Sequence, residues 1–337
     1  MTLSQLAINV LTSPPVCRLM MPLRRQVVPV FLMHRFADHH RGIHGHSLVH
    51  LDTSLRYLRD NGYRVLSLHH IVSAILNGEP LPDKTVAFTL DDGFYDQAEK
   101  ALPVFERYQA PVTVFLATDM QEEQYRSWDY KLEYVLKHTG EINVNVDFGK
   151  GETPITVKSA DDRRALVRRL RHYYKRMPNK RAEQAVVDLS VKLDVPVPAS
   201  APPEYQPISW EQARALESEY VEFGPHTKRH PILAQLSDEE ARDEILGSWR
   251  VIRHNLANPV PIFCFPSGRE GIDFGPREQK MVEEAGMNAA LSADPGYINL
   301  NHKDHKDLFA LKRFSFPDNL TDFKQYCSWL EYAKERL

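Results

Sequence analysis

Cysteine is scarce in this chain, with only Cys17, Cys264 and Cys327 among 337 residues. Their spacing shows neither a pairing pattern nor a metal-binding one, so a disulfide framework is excluded and a reducing compartment is the natural reading. Long apolar runs are also missing. No uninterrupted stretch is long enough to span a bilayer. The opening residues, Met1 to Met21, are mildly apolar but lack a basic start, a continuous apolar centre and a clear small-residue cleavage site. Export is therefore not indicated and a cytoplasmic location is expected. The leader reads as a packing helix, with a peripheral membrane contact as the alternative. Strong charge of either sign is absent too: 42 Lys and Arg oppose 45 Asp and Glu, a formal net charge of −3. That balance gives no electrostatic argument for nucleic acid or an anionic membrane. Arginines do cluster between Arg163 and Arg171, where a solvated helix face is the simpler reading. What remains is a soluble globular chain, 42% hydrophobic and 26% charged, long enough for one large barrel or two modest domains.

The most informative stretch is Val86-Ala-Phe-Thr-Leu-Asp91-Asp92-Gly93, an apolar run that ends in two carboxylates and a glycine turn. Alone it would be a surface turn, since Asp-Gly commonly closes loops. Yet strand tips are where α/β proteins keep their chemistry, and two adjacent carboxylates can divide the labour of holding a cation and moving a proton. Far downstream, Phe223-Gly-Pro-His226-Thr-Lys-Arg-His230-Pro231 brings two imidazoles four residues apart, also just after a short strand. His-x-x-x-His is weak by itself. Joined to a carboxylate at a second strand tip, it makes a donor set suited to Zn²⁺ or another divalent transition metal. The flanking Pro225 and Pro231 place the histidines on a loop or a single turn.

With these residues, three further segments make the chain resemble the polysaccharide deacetylases, the NodB-homology domain of carbohydrate esterase family 4. Val28-Pro-Val-Phe-Leu-Met33-His34-Arg35-Phe36 is similar to an N-terminal strand carrying a "YHR" signature, with Met33 in place of the tyrosine. Phe263-Cys-Phe-Pro266-Ser-Gly268 resembles an "F-x-Y-P-x-G" segment. Gly286 to Ser292 and Leu311-Lys-Arg313-Phe314 resemble the last two strands. The resemblance covers roughly residues 26–124 and 205–325.

This resemblance implies an α/β fold, a distorted (β/α)7-type barrel with an inserted α+β subdomain. It makes Asp92, His226 and His230 the metal ligands and Asp91 the general base that activates water. The tetrahedral oxyanion would be held by the metal and a backbone N–H supplied near Phe94 or Tyr95, with Pro266 shaping the cleft wall. Many members carry the general acid as a histidine in a C-terminal Leu-x-His motif. This chain has Leu311-Lys312-Arg313 there, and arginine stays protonated too firmly to serve. Members with shifted terminal strands carry the histidine on the N-terminal strand, the place of His34. Arg313 would then orient Asp91, or Asp294 would orient His34. The reaction implied is metal-dependent hydrolysis of an N-acetyl group on an amino sugar of a glycan or surface-polysaccharide precursor. The rival readings are an amidohydrolase of non-sugar linear amides and a non-catalytic glycan-binding descendant.

Strands alternating with helices from residue 26 to about 124, and again after 205, imply parallel sheet. Between them the rhythm changes. An exposed strand over 142–148 leads through Thr156 to a charged helix over 160–176, Pro178 breaks it, and a second helix spans 181–193. A proline-stiffened linker follows. The expected organisation is a leader over 1–25, a barrel over 26–124 and 205–337, and an inserted subdomain over 125–204. The histidines His39, His40, His44, His46 and His50, the pair His69-His70 and the pair His302/His305 read as solvated rather than metal-binding. Trp128, Trp210 and Tyr297 are candidates for stacking on a sugar, though such residues more often pack in cores or rims.

Overall fold

Most of the apolar, β-branched stretches between the helices become parallel strands, and the longest of them share one sheet. They are described by a computed structural model covering residues 3–20, 22, 24, 27–122, 127–149, 151–300 and 305–334. Among the described residues the strands are β1 (Val27–Val28), β2 (Val30–Met33), β3 (Arg64–Val65), β4 (Thr85–Asp92), β5 (Val112–Leu116), β6 (Ile142–Asp147), β7 (Glu152–Val157), β8 (Val221–Pro225), β9 (Ile262–Cys264), β10 (Ala289–Leu291), β11 (Ile298–Asn299) and β12 (Phe314–Ser315). Pro29, which cannot donate to a ladder, separates β1 from β2.

The central sheet runs β12-β2-β4-β5-β8, all parallel, with β3 alongside the start of β4. β9 pairs with β10 in parallel, and a parallel bridge between Leu291 and Leu311 links that pair to the chain entering β12. Between β8 and β9 the described residues form no ladder; the Val260 N–H donates to the Phe223 carbonyl at 2.8 Å there. The architecture is thus mixed α/β with a parallel central sheet. All eight residues of β4 are buried, as a strand covered on both faces requires. Phe31, Phe88, Phe105, Phe316 and Phe323 fill the core beneath it.

Helices flank the sheet where the apolar spacing places them: Leu48–Asp60, Leu68–Asn77, Trp210–Leu216 and Asp238–Asn255. Ser237 caps the last with a reciprocal Ser–Glu240 box, the arrangement that satisfies two orphan N–H groups at once. The leader forms two helices, Leu3–Leu11 and Pro14–Met20, with Cys17 buried and the Trp329 indole donating to the Leu11 carbonyl at 3.2 Å. No helix among the described residues is long and apolar enough to cross a membrane.

The stretch between β5 and β8 has its own apolar cluster, built from Trp128, Leu132, Leu136, Leu166, Leu170, Val186 and Leu189. Two features here depart from expectation. A helix at Trp128–His138 precedes the first strand. Thr156 belongs to a second strand, β7, that pairs antiparallel with β6, and the two expected helices follow at Ala160–Tyr174 and Asn179–Lys192. Beyond β8, a helix at Pro276–Glu284 also lies where none was expected, and the expected strand over 310–314 is a 3₁₀ turn, the Leu311 bridge and the two residues of β12. Gln26, the boundary between 124 and 125, and His302 lie outside the described residues.

Candidate active site

Parallel strands end at a common edge, and the register puts the chemistry there. Met33 pairs with Leu90, so His34 lies next in line beside Asp91; Asp92 pairs with Leu116, and Leu116 with Pro225, so His226 follows on the same edge. Asp92 and Gly93 turn the chain away from β4 with φ of 79° and 74°. Glycine is required at the second position: a Cβ there would sit 2.3 Å from Leu116 Cδ2. Thr227 and His230 also have left-handed backbone, φ 65° and 58°. Their loop is pinned by Glu244, whose carboxylate accepts the Lys228 and Arg229 N–H groups at 2.8 and 2.9 Å.

Asp92, His226 and His230 converge, all buried, with their candidate ligand atoms within 4.8 Å of one another. Asp92 Oδ1 lies 3.6 Å from His226 Nε2 and 3.5 Å from His230 Nε2, and it has no hydrogen-bond partner. His226 Nδ1 sits 2.7 Å from the Cys264 carbonyl. A carbonyl only accepts, so Nδ1 carries the proton and the Nε2 lone pair faces Asp92. Burial lowers the His226 pKa to about 4, and the His230 imidazole adds to that, against the pull of Asp91 and Asp92. The ring is therefore neutral near pH 7. An orphaned buried carboxylate oxygen facing a neutral imidazole lone pair fits a divalent transition metal.

Asp91 is held differently. Arg313, 1% exposed, donates Nη1 to Oδ1 at 2.8 Å and Nη2 to Oδ2 at 3.0 Å. Its Nε donates to the Ser292 carbonyl, Nη1 also to Thr89 Oγ1 and Nη2 to Cys264 Sγ. Burial pushes the Asp91 pKa up, but Arg313, His226 and His34 outweigh it and hold the carboxyl well below the usual range. His34 Nε2 is 3.9 Å from Asp91 Oδ2, and the His34 side chain is 44% exposed. Gln97 ties the two tips together by donating to the His34 and Asp91 carbonyls at 2.6 and 2.5 Å.

The remaining expected residues divide. Tyr95 is no free donor: its N–H is spent on the Gln206 carbonyl at 2.8 Å, beside the bridge between Phe94 and Pro207. The Phe94 ring is buried under the Arg35 guanidinium at 4.0 Å. Asp294 accepts the Glu270 N–H at 2.9 Å, and the carboxylate found beside His34 is that of Asp91. The Pro266 carbonyl accepts from Gly268 N in the loop after β9. Trp128 and Tyr297 are buried, Trp128 in the second core and Tyr297 with its hydroxyl on the Tyr326 carbonyl. Trp210 packs against the main core. Of the N-terminal histidines, His39, His40 and His44 are exposed, while His46 and His50 pack on Phe316. His69 and His70 are exposed.

Two residues of the site escaped the sequence. Cys264, with its carbonyl on His226 and its thiol 3.5 Å from Asp91 Oδ2, looked like an isolated cysteine. Tyr130, whose hydroxyl donates to Asp92 Oδ2 at 2.5 Å, lies on the helix that was not foreseen. Its signal was present: Ser127 ahead of Trp128, Leu132, Val135 and Leu136 at helical spacing.

Comparison with known proteins matches residues 78–290 to a family model described as polysaccharide deacetylase. Over 55 residues, 16% of this chain, it is 38% identical to the poly-beta-1,6-N-acetyl-D-glucosamine N-deacetylase of Escherichia coli K12; the match spans only 8% of that relative's length. Among solved structures, the Streptococcus pyogenes deacetylase PplD in complex with acetate is similar at TM-score 0.56 and 16% identity, over 87% of this chain and 94% of that one. IcaB from Ammonifex degensii is similar at TM-score 0.55 and 14% identity, over 91% and 97%. At such identities the structural likeness speaks for the fold.

Proposed function

We infer that this chain, which belongs to the polysaccharide deacetylase family, hydrolyses the N-acetyl group of an amino sugar in a glycan or surface-polysaccharide precursor and needs a divalent cation to do so. The observation that carries the reading is the meeting of Asp92, His226 and His230 beside an Asp91 clamped by Arg313. The name of the Escherichia coli relative supports an N-acetylated glucosamine polymer as the substrate class.

In this reading Asp92, His226 and His230 hold the cation, with Zn²⁺ first among the candidates. A cation there supplies a Lewis acid for the acetamide carbonyl and lowers the pKa of water. Asp91 takes the proton from the attacking water. Arg313 and the Cys264 thiol both engage Asp91 Oδ2, whereas Oδ1 accepts from Arg313 alone and keeps a lone pair for that water. His34 gives a proton to the departing amine. It is the titratable group nearest Asp91 that also reaches solvent, whereas Arg313 cannot release its proton. Phe94 N–H is the remaining candidate for the oxyanion, because the Tyr95 amide is already engaged.

The proposed organisation is a deacetylase barrel over 26–124 and 205–337, interrupted by a subdomain over 125–204 that covers one side of the cleft and preceded by a leader over 1–25. The three free cysteines support action in a reducing compartment, on a precursor, with the leader's exposed Leu6, Val10 and Leu19 at a membrane surface.

The test is elemental analysis of the wild type and of an Asp92→Ala/His226→Ala variant purified without added metal, followed by an assay of acetate release from N-acetylglucosamine oligomers. The expected result is about one transition-metal ion per wild-type chain, lost in the variant together with acetate release. A wild type that takes up no added Zn²⁺ overturns the mechanism and favours a glycan-binding role. Metal without acetate release redirects the search to non-sugar amides.

A further inference from the structure

We propose that the segment between β5 and β8 positions the ligand set, with Tyr130 as the positioning residue for Asp92 and Asn179 as that for the loop bearing His230. This rests on the reading of Asp92, His226 and His230 as metal ligands.

Asp92 has two chemically equivalent oxygens and a rotatable carboxylate. The Tyr130 hydroxyl breaks that symmetry by donating to Oδ2 at 2.5 Å, while Oδ1 faces both Nε2 atoms at 3.5 and 3.6 Å with no partner of its own. The phenol can do this because its ring is fixed. It meets Phe94 edge-on at 4.9 Å and Tyr205 at 5.7 Å, and all three rings are buried in one small cluster. Phe94 follows directly on the Asp92–Gly93 turn, so the ring is braced by the same loop whose carboxylate it orients.

Asn179 acts on the other ligand loop. Its side-chain amide grips a single backbone residue from both directions: Nδ2 donates to the Ile232 carbonyl at 3.0 Å, and Ile232 N donates to Oδ1 at 3.1 Å. This is the pattern by which one strand reads another, here made by one side chain at the start of helix Asn179–Lys192. Ile232 is two residues beyond His230, whose left-handed backbone needs an external hold. Lys180 adds an exposed ion pair to Glu240, which contributes little.

Apolar packing alone would seat this segment on the barrel. Burying a phenol hydroxyl against a buried carboxylate is worthwhile where the orientation of that carboxylate matters, and partners of ligating carboxylates hold them for the metal. Linkage makes the effect reciprocal: whatever factor the segment adds to cation affinity, the cation adds to the docking of the segment.

The experiment uses the full chain. Tyr130→Phe keeps every ring contact and removes only the hydroxyl. Zn²⁺ affinity is measured by competition with a chromophoric chelator, and Co²⁺ is added to read coordination from its visible spectrum. Tyr130→Phe should bind Zn²⁺ about 10- to 100-fold more weakly and change the Co²⁺ spectrum. Asn179→Ala should shift affinity in the same direction, and saturating Zn²⁺ should protect the segment from proteolysis more in the wild type than in either variant. Tyr173→Phe, whose ring packs on Phe148 within the segment, serves as the control and should match the wild type. Wild-type affinity and an unchanged Co²⁺ spectrum in both Tyr130→Phe and Asn179→Ala overturn the proposal, even if the metal-free variants melt earlier, since that would mark packing alone. A wild type that binds neither ion instead overturns the ligand set on which the proposal stands.

Discussion

Arg313 and Asp91 stand 222 residues apart in the chain and meet as a buried, two-pronged ion pair, Nη1 to Oδ1 at 2.8 Å and Nη2 to Oδ2 at 3.0 Å. Removing one partner of such a pair strands a charge in a low-dielectric site, a loss of about 3–5 kcal/mol. Arg313→Ala is therefore expected to lower the unfolding free energy read from urea denaturation by an amount in that range and to abolish acetate release. Arg313→Lys, which restores the charge without the fork, should recover part of the stability and little of the activity. An Arg313→Ala protein with wild-type stability would show that the pair contributes nothing net.

His34→Ala should cut kcat for an N-acetylglucosamine oligomer by about 10²- to 10⁴-fold, the usual worth of a general acid, with metal content unchanged. An aryl acetate, whose phenolate leaves without a proton, should be hydrolysed at nearly the wild-type rate by the same variant. Equal losses on both substrates would remove His34 from the role of proton donor.

The metal-free protein should weaken as acid is added below neutrality. Burial lowers the pKa of His226 from 6.5 to about 4, and burial with the nearby His34 does the same to His46. Between those values the unfolded chain takes up protons that the folded imidazoles refuse. Stability is thus whole above about pH 6.5 and falls toward pH 4, by up to about 1.4 kcal/mol per pH unit for each histidine. Thermal melts in a chelator from pH 7.5 to pH 4.5 check this, and His46→Gln should flatten the slope. Asp91, whose pKa is depressed, adds its own loss only at lower pH still. A melting temperature constant over that range would contradict the neutral, buried state of both rings.

Much of this was legible in the chain. The run ending in Asp91 and Asp92 is a strand because its residues are apolar and β-branched, and a short strand does precede the histidine pair, as β8. The convergence of Asp92 with His226 and His230 followed from placing both motifs at strand tips. What stayed hidden has physical causes. Tyr130 reaches Asp92 only because a second core, closed by Leu132, Leu170 and Val186, sets the angle of its helix, and no local pattern encodes that angle. Tyr95 lost its amide to Gln206 through a bridge between segments 113 residues apart, a pairing that turn chemistry near β4 cannot reveal. β7 was missed because its charged and polar outward face resembles the start of the helix that follows.

Asp92, Thr227 and His230 hold left-handed backbone without being glycine. Each such residue carries about 1–3 kcal/mol of conformational cost, and glycine at any of the three would relieve it. Variants selected only for heat resistance therefore have a downhill route that erases the carboxylate or an imidazole. If the proposed ligand set holds a cation, durability and metal retention compete at the same few codons, so a library screened for melting temperature should keep those positions fixed or score metal uptake alongside it.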